Sequence, residues 1–268
     1  MSFKCLSACL LLPCIAAAQL PTVASINLCT DQLVLSVADP AQILSVSWLA
    51  ADPEESMLAM RARAFPLNYG SAEELIAIGP DVVIAGTETS PYTRELMRRL
   101  GSTVVEIEPA ASLNDVIRNV RLVGAAIGRS VEAETIIAAM DSRAIAVRVA
   151  RSDEVRSAIV VRPGGFTIGR DTLAHELITL AGLKNVVAEL DRWGSLSVET
   201  LLSSDPEVIV LTSYRADEAS RANSFFDHPS LSSFDDRVRL EVPARYFACG
   251  APDSLASAEI LIEQMAPR

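Results

Sequence analysis

Two stretches of the chain repeat one pattern, and this repeat constrains the fold more than any other feature of the sequence. Residues 71–86 are SAEELIAIGPDVVIAG, and residues 197–212 are SVETLLSSDPEVIVLT. Each copy has Ser, Glu two positions later, then Leu, then Pro followed by an acid and a run of aliphatic residues. The copies are too far apart for a solenoid, whose repeats recur every ~20 to 50 residues. We therefore predict that the chain folds as two similar halves.

One long amphipathic helix is predicted between the two copies. Residues 129–151 contain neither Gly nor Pro, and such a helix is about 30 Å long at about 1.5 Å per residue. Its apolar residues recur at three- and four-residue steps, as in the buried stripe of a helix: Ala133, Ile136, Ile137, Met140, Ala144 and Val147. We predict that this helix links a lobe of residues 19–128 to a lobe of residues 152–268.

Strand and helix patterns alternate on both sides of the linking helix. In the first half, strands are predicted at 23–29, 41–47, 82–85 and 103–108, with helices at 30–38, 72–78 and 91–101. In the second half, 157–169 predicts a strand, a turn and a short strand, 171–186 a helix, 238–250 a strand and loop, and 253–266 a helix. Thr30 or Asp31 is expected to cap the first helix, and Asp171 or Thr172 that at 171–186. The alternation predicts an α/β fold in which each lobe is a mostly parallel sheet with flanking helices.

The first 18 residues have the features of a cleavable signal peptide. They contain Lys4, an apolar run too short to span a bilayer, and three small residues at the end. We predict that the mature chain begins at Gln19 in the periplasm. Cys14 also allows a lipoprotein, but the preceding Pro13 fits poorly at a position where such sites prefer a small residue.

The formal net charge is −11, and the chain has no run of Lys or Arg. Nucleic acids and anionic membranes attract basic surfaces, so the charge argues against either as a partner.

Loss of the signal peptide would leave two cysteines, Cys29 and Cys249, of the five in the chain. In an oxidising compartment such a pair can form a disulfide. Two separate thiols, or two soft groups near a ligand, are the alternatives that the sequence leaves open.

Taken together, the segments resemble the periplasmic binding proteins that supply ABC importers with metal chelates such as ferric siderophores, haem and vitamin B12. The order and spacing of these segments carry the resemblance, together with the linking helix: SINLCTDQL (25–33), GSAEELIAIGPDVVI (70–84), TLAHELITLAGLKNV (172–186), SLSVETLLSSDPEVIVL (195–211) and RYFACGAPDSLASAEIL (245–261). The resemblance implies a helical-backbone periplasmic binding protein fold, with two α/β lobes and the ligand held in the cleft between them.

The resemblance also implies a contact with the transporter. In that family, one Glu on each lobe docks with arginines of the permease dimer, and the repeat places Glu73 and Glu199 at those positions. The alternative is that acids in a first helical turn only interact with the helix dipole. Glu74 fits this alternative better, since it can form a capping box with Ser71.

Ligand contacts are expected from loops at the carboxyl ends of strands, where open α/β sheets place their sites. In the first lobe these loops offer Cys29, Thr30, Trp48, Tyr69, Thr87 and Glu88. In the second they offer Arg162, Phe166, Trp193, Tyr214, Arg215, Arg245 and Tyr246, with Cys249 close by. Aromatic faces suit a flat macrocycle or a catecholate, and Arg suits carboxylate or amide oxygens on it. Ordinary packing or surface exposure is the alternative for each residue.

Enzyme chemistry has little support in the sequence. Neither His175 nor His228 has a neighbour that makes a metal pair or a catalytic dyad. The glycines of 162–169 match neither a dinucleotide fingerprint nor a P-loop, so a tight turn is expected there. The lack of a His, Asp and Glu cluster argues against bare zinc or manganese ions as the ligand.

The sequence thus predicts a monomeric substrate-binding protein with no cofactor, which passes a chelate to an ABC permease. A corrinoid or a ferric siderophore is favoured over haem, because the chain has only two histidines that could ligate haem iron. An enzyme or chelatase on a similar fold, and a ligand-sensing receptor, are the alternatives.

Overall fold

The computed structural model describes residues 19–212, 234 and 236–266. The first lobe contains a five-stranded sheet in the order β3-β2-β1-β4-β5, in which every pairing is parallel. Its strands are β1 (Val23–Ser25), β2 (Ile43–Ser47), β3 (Leu67–Asn68), β4 (Val82–Gly86) and β5 (Thr103–Ile107). The helices of this lobe are α1 (Leu28–Val37), α2 (Ala59–Ala62), α3 (Ala72–Ile78), α4 (Pro91–Arg99) and α5 (Leu113–Ala126).

The linking helix, α6, spans Ser130–Ala150, which confirms the predicted helix to within one residue at each end. Its buried stripe is Ala133, Ile137, Met140, Ala144 and Val147. Ile136 of the predicted stripe is partly buried and packs against the same core.

The second lobe contains a four-stranded parallel sheet and a two-stranded antiparallel one. The strands are β6 (Arg156–Val161), β7 (Phe166–Ile168), β8 (Leu183–Asn185), β9 (Trp193–Ser195), β10 (Val208–Leu211) and β11 (Val238–Glu241). The larger sheet has the order β11-β10-β6-β8, and β7 pairs with β9. The helices are α7 (Leu173–Leu180), α8 (Val198–Ser204), α9 (Arg245–Ala248) and α10 (Ala256–Met265).

The two copies of the sequence repeat form the same local structure. Each begins with a serine N-cap, continues as a short helix (α3 or α8), and ends in a left-handed residue before a central strand. The left-handed residue is Gly79 in the first copy, with φ 65°, and Asp205 in the second, with φ 41°. Glycine adopts this conformation without a steric penalty, so the first copy has the less strained helix end.

The acid that follows the repeated proline ties each copy to the first strand of its lobe. Asp81 accepts a hydrogen bond from the Thr22 backbone N–H at 2.8 Å, just before β1. Glu207 accepts the equivalent bond from the Ser157 N–H at 2.7 Å, in β6. Both acids also accept from the hydroxyl of the same partner. The repeat therefore encodes a strand pairing as well as a helix and a strand.

The core is continuous from one lobe to the other. Buried side chains of α1, α5, α6, α7 and α10 belong to one hydrophobic cluster, which includes Val34, Val120, Ile137, Leu177 and Leu261. The structure confirms the predicted α/β fold of two lobes joined by one long helix. No helix within the described ranges has the length and hydrophobicity needed to cross a membrane.

The predicted cap of the first helix is wrong. This helix begins at Leu28, because the Asn27 side chain caps it by accepting a hydrogen bond from the Cys29 N–H at 2.9 Å. Thr30 and Asp31 are buried inside its first turns.

Two further boundaries and one whole helix differ from the prediction. The helix predicted at 171–186 ends at Leu180, since Gly182 turns the backbone at φ 89° and β8 follows. The helix predicted at 253–266 begins with a 3₁₀ turn at Pro252–Leu255. Helix α5 was not predicted.

Candidate functional site

A cavity of about 510 Å³ lies between the two lobes. The first lobe contributes Glu54 and Glu55, from the loop that follows β2. The second lobe contributes four of the predicted site residues: Arg162, Phe166, Trp193 and Arg245. The structure therefore brings together, around one cavity, residues that are widely separated in the sequence.

The β6–β7 turn places Arg162 and Phe166 at the cavity. Its glycines Gly164 and Gly165 have φ values of 76° and 73°, and the Gly165 N–H donates to the Arg162 carbonyl at 3.1 Å. Glycine is the residue that adopts a positive φ readily at two successive positions, which explains the glycine pair in the predicted tight turn. Phe166 remains 52% exposed, so its ring is available to a ligand.

Trp193 lies on β9, whereas the sequence predicted a loop at this position. It pairs with Ile168 of the antiparallel strand β7 and is 46% exposed. The Arg162 guanidinium carbon lies 4.7 Å from the centroid of the indole ring, which is a cation–π contact. Burial lowers the pKa of the Arg162 guanidinium.

Arg245 connects the two sides of the cavity. Its Nη1 atom donates to the carbonyl of Pro53, in the loop of the first lobe, at 3.3 Å. Its guanidinium carbon also lies 5.1 Å from the ring centroid of Tyr246, which is partly buried against the core. Arg245 thus contacts the opposite lobe directly, in the same region that Glu54 and Glu55 line.

A disulfide joins the lobes beside this cavity. Cys29, at the start of α1, is bonded to Cys249, which follows α9, with their Cα atoms 5.0 Å apart. The structure thereby selects the disulfide among the three states that the sequence left open. A second, smaller cavity of about 130 Å³ adjoins the disulfide, and Trp193 and Ala248 line both cavities.

The two aromatic candidates of the first lobe form a separate pair. Trp48 and Tyr69 follow β2 and β3, and their rings stack with centroids 6.1 Å apart. They are 45% and 76% exposed, and neither lines the 510 Å³ cavity.

Three other predicted contacts of the first lobe lie away from the cavity walls. Thr30 is buried and donates to the Asn27 carbonyl at 2.9 Å, within the lobe. Thr87 donates to Glu108 at 3.4 Å, and Glu88 is exposed in the same loop. Two further candidates, Tyr214 and Arg215, lie outside the described residues.

Sequence reasoning missed Glu54 and Glu55 on the cavity wall. They follow Trp48 in one loop, so a search of the whole loop for charged residues would have found them. Each makes interactions of its own, so neither is a free carboxylate.

The predicted docking acids are exposed in the first turns of equivalent helices. Glu73 lies in α3 and Glu199 in α8, each two residues after the serine cap. Glu199 has an interaction partner in the structure. The predicted capping box of Ser71 and Glu74 is confirmed, because each side chain accepts a hydrogen bond from the other residue's N–H.

His175 is held by polar neighbours within the second lobe. Its Nδ1 atom lies 3.3 Å from the side-chain nitrogen of Asn185, and its N–H donates to the cap residue Thr172 at 3.1 Å. His228 lies outside the described residues. Within the described ranges, no three His, Cys, Asp or Glu side chains are grouped so as to hold a metal ion.

The sequence profile of one family, described as "Periplasmic binding protein", matches residues 23–235. Among curated proteins, the cobalamin-binding protein of Halobacterium salinarum is 30% identical over 166 residues, which is 60% of this chain and 45% of that protein. An uncharacterized ABC transporter substrate-binding lipoprotein, YvrC of Bacillus subtilis, is 25% identical over 152 residues, or 53% of this chain and 48% of that protein. The matches thus span about half the length of these relatives.

A solved structure shows the same fold over nearly the whole chain. The periplasmic haem-binding protein HutB of Vibrio cholerae superposes with a TM-score of 0.79 over 92% of this chain and 99% of that one, at 16% identity. At this identity the likeness concerns the fold alone.

Proposed function

Because the chain belongs to the periplasmic binding protein family, we propose that it captures a metal chelate between its lobes and delivers it to the permease of an ABC importer. The observation that carries the proposal is the interlobe cavity of about 510 Å³. A cavity of several hundred cubic ångströms with aromatic walls and a few polar groups is typical of a small-molecule site.

The chemistry of the walls supports a flat or ring-shaped cargo. Phe166 and Trp193 offer partly exposed aromatic faces, and Arg162 and Arg245 offer donors to oxygen atoms on the ligand. The relative from Halobacterium salinarum is named for cobalamin, and the structural neighbour HutB for haem. We propose a corrinoid or a ferric siderophore first, since His175 is held by Asn185 and lines neither cavity.

We further propose that the protein acts in the periplasm as a monomer. Residues 1–18 would be removed as a signal peptide, leaving lobes of 19–128 and 152–268 around a linking helix of 129–151. The disulfide supports an oxidising compartment, because such bonds persist outside the cytosol and are rare within it.

Binding of purified mature protein to candidate cargoes tests the proposed function. Trp193 lies on the cavity wall, so its fluorescence reports directly on occupancy. We expect saturable quenching at micromolar or lower concentrations by one of cyanocobalamin, haem or a panel of ferric siderophores, with inner-filter controls and calorimetry as a second measurement. If folded protein binds none of them, and a turnover assay or a signalling partner is found instead, the protein is an enzyme or a receptor.

We propose that Glu73 and Glu199 dock the loaded protein on the permease. The support is their equivalence: both are exposed, and both lie in the first turn of the helix that opens a repeat copy. Carboxylates on two lobes can pair with arginines on two permease subunits and fix the orientation of the complex.

Charge removal at these two positions tests the docking proposal. We expect Glu73→Gln and Glu199→Gln to leave cargo affinity within twofold of the wild type and to lower uptake in cells at least fivefold. Glu95→Gln is the matched control, because Glu95 is an exposed helical acid that pairs only locally with Arg99. Unchanged uptake, or an equal loss of cargo affinity, would contradict the docking role.

A further inference from the structure

Arg162 has no acidic partner among the described residues, although its side chain is only partly exposed. Within the described part of the chain, its side chain makes no ion pair or hydrogen bond, and its guanidinium contacts the Trp193 ring. Burial lowers the pKa of its guanidinium, and no carboxylate of the described residues opposes this shift. Within the described ranges, this desolvated positive charge therefore has no acidic partner.

Four other partly buried arginines of the chain are paired with acids, whereas Arg156 and Arg245 form no ion pair among the described residues. The acids of the four pairs are Glu106 for Arg94, Glu132 for Arg129, Glu259 for Arg143 and Asp205 for Arg237. Placing a charge out of water without a partner costs free energy, which folded proteins normally avoid by pairing. Because the desolvated charge of Arg162 lies on the wall of a cavity, we infer that its anionic partner is a group of the bound ligand.

The indole ring of Trp193 offers an aromatic face to the guanidinium of Arg162. Stacking on an aromatic face leaves the N–H groups at the edge of the guanidinium free to donate, and this edge can bind both oxygens of a carboxylate or phosphate. The other charged groups of the cavity are unevenly placed: Arg245 is on the same lobe, whereas Glu54 and Glu55 line the wall of the other lobe. Arg245 thus adds a second positive charge to the wall that carries Arg162, and an anionic edge of a ligand would be attracted to that wall.

We propose that Arg162, oriented by Trp193, binds an anionic group of the cargo, a carboxylate or a phosphate, and selects chelates that carry such a group. This inference rests on the proposed function and narrows its substrate class. A metal chelate whose rim bears only neutral amides or esters would leave Arg162 unpaired. Such a chelate would bind more weakly than its charged counterpart of the same shape.

Two pairs of compounds differ in an anionic group, and the haem pair changes this group with little change of shape. Haem and its dimethyl ester differ in whether the two carboxyl groups are ionised, and cyanocobalamin and dicyanocobinamide differ in the presence of the phosphodiester and its nucleotide. Affinities of all four are measured with wild-type protein, Arg162→Gln and Arg162→Lys, at one low concentration of co-solvent. Arg118→Gln is the matched control, because it removes one positive charge from an exposed pair with Asp115 on α5.

In whichever pair binds the wild type, we expect Arg162→Gln to lower the affinity for the member that carries the anionic group at least tenfold. The affinity for the other member should fall less than threefold. Arg162→Lys should lie between Arg162→Gln and the wild type, because it keeps the charge and loses the planar fork. Arg118→Gln should change neither. The compound pair that shows the effect identifies carboxylate or phosphate as the recognised group.

Thermal unfolding without ligand gives an independent readout. Since Arg162→Gln removes a desolvated charge, its melting temperature should equal or exceed that of the wild type, which also shows that the variant folds. Equal weakening of both members of a pair would overturn the inference while the proposed function stands. Failure of wild-type protein to bind any chelate, siderophores included, would overturn the proposed function and this inference with it.

Discussion

Asp31 shows how a single buried side chain organises one side of the cleft. It lies in α1 with no exposed surface, and it accepts hydrogen bonds from both the N–H and the hydroxyl of Ser47. Ser47 is the last residue of β2, immediately before the 3₁₀ turn that begins at Trp48. The loop that carries Glu54 to the cavity therefore begins at this hydrogen-bonded pair.

Burial raises the pKa of Asp31 to about 6, although hydrogen bonds from Ser25 and Ser47 oppose the shift. The folded state then holds the proton more tightly than the unfolded state, whose Asp titrates near pH ~4. The contribution of Asp31 to the free energy of unfolding should fall as pH rises from about 4 to about 6, and then stay constant. The total fall is about 2 to 3 kcal/mol.

Asp31→Asn isolates this contribution, because the amide does not titrate. We expect the free energy of unfolding of the wild type, minus that of the variant, to decrease by this amount between pH 4 and pH 7. Urea denaturation of both proteins at several pH values gives the two free energies of unfolding. Subtracting one from the other cancels the titration of the groups that both proteins share. A difference in the free energy of unfolding that does not change with pH would show that the pKa of the Asp31 carboxyl is not raised.

At the scale of elements, the close approach of α5 and α6 depends on one glycine. A Cβ atom at Gly124 would lie 2.5 Å from the Cβ of Ala133 and 3.1 Å from the Arg129 carbonyl oxygen. These distances are shorter than ordinary contacts between side chains. The linking helix thus packs on the first lobe through a position that admits no side chain.

Gly124→Ala sets two effects against each other. Alanine is the better helix former by about 1 kcal/mol, but overpacking a tight interface costs typically about 1 to 3 kcal/mol. We expect the clash to prevail and the variant to be less stable by about 1 kcal/mol. Urea denaturation at neutral pH measures the change.

The reciprocal swap is the control for this prediction. Gly124→Ala combined with Ala133→Gly moves the methyl group from one helix to the other and keeps the total helix propensity unchanged. We expect the double variant to recover most of the stability that Gly124→Ala loses. A single variant as stable as the wild type would show that the two helices can move apart at little cost.

The sequence predicted the elements more accurately than the site, and particular residues show why. The extent of α6 followed from the helical period and from the lack of Gly and Pro in residues 129–151, whereas β9 is three residues long and exists through its pairing with β7. Asn27 was a visible cap signal, but the apolar residues beside it suggested a strand. Glu54 and Glu55 reach the cavity through the packing of one lobe on the other, which no local pattern encodes.

At the scale of the whole molecule, the disulfide closes a loop with a sequence separation of 220 residues. In the chain-entropy model, a loop of this length contributes about 5 kcal/mol to the free energy of unfolding. We expect Cys29→Ser with Cys249→Ser to lower the free energy of unfolding by several kcal/mol while the two lobes still fold.

The pairing is checked first by the intact mass of the mature protein after alkylation, with and without reductant. Urea denaturation of the oxidised protein and the double variant then measures the loss. Alkylation of two thiols before reduction would show that Cys29 and Cys249 are not bonded and would remove the basis of this prediction.

The same bond changes which motions the two lobes can make. A pair of bodies connected at one place can swing and twist in every direction, whereas two separated connections restrict their motion chiefly to rotation about the line through both. Here α6 and the Cys29–Cys249 bond are the two covalent connections, in addition to the packing of the shared core. We therefore expect the cleft to open chiefly by rotation about the line through α6 and the disulfide. The wall with Trp193 would then face the wall with Glu54 in the same alignment, with or without a ligand.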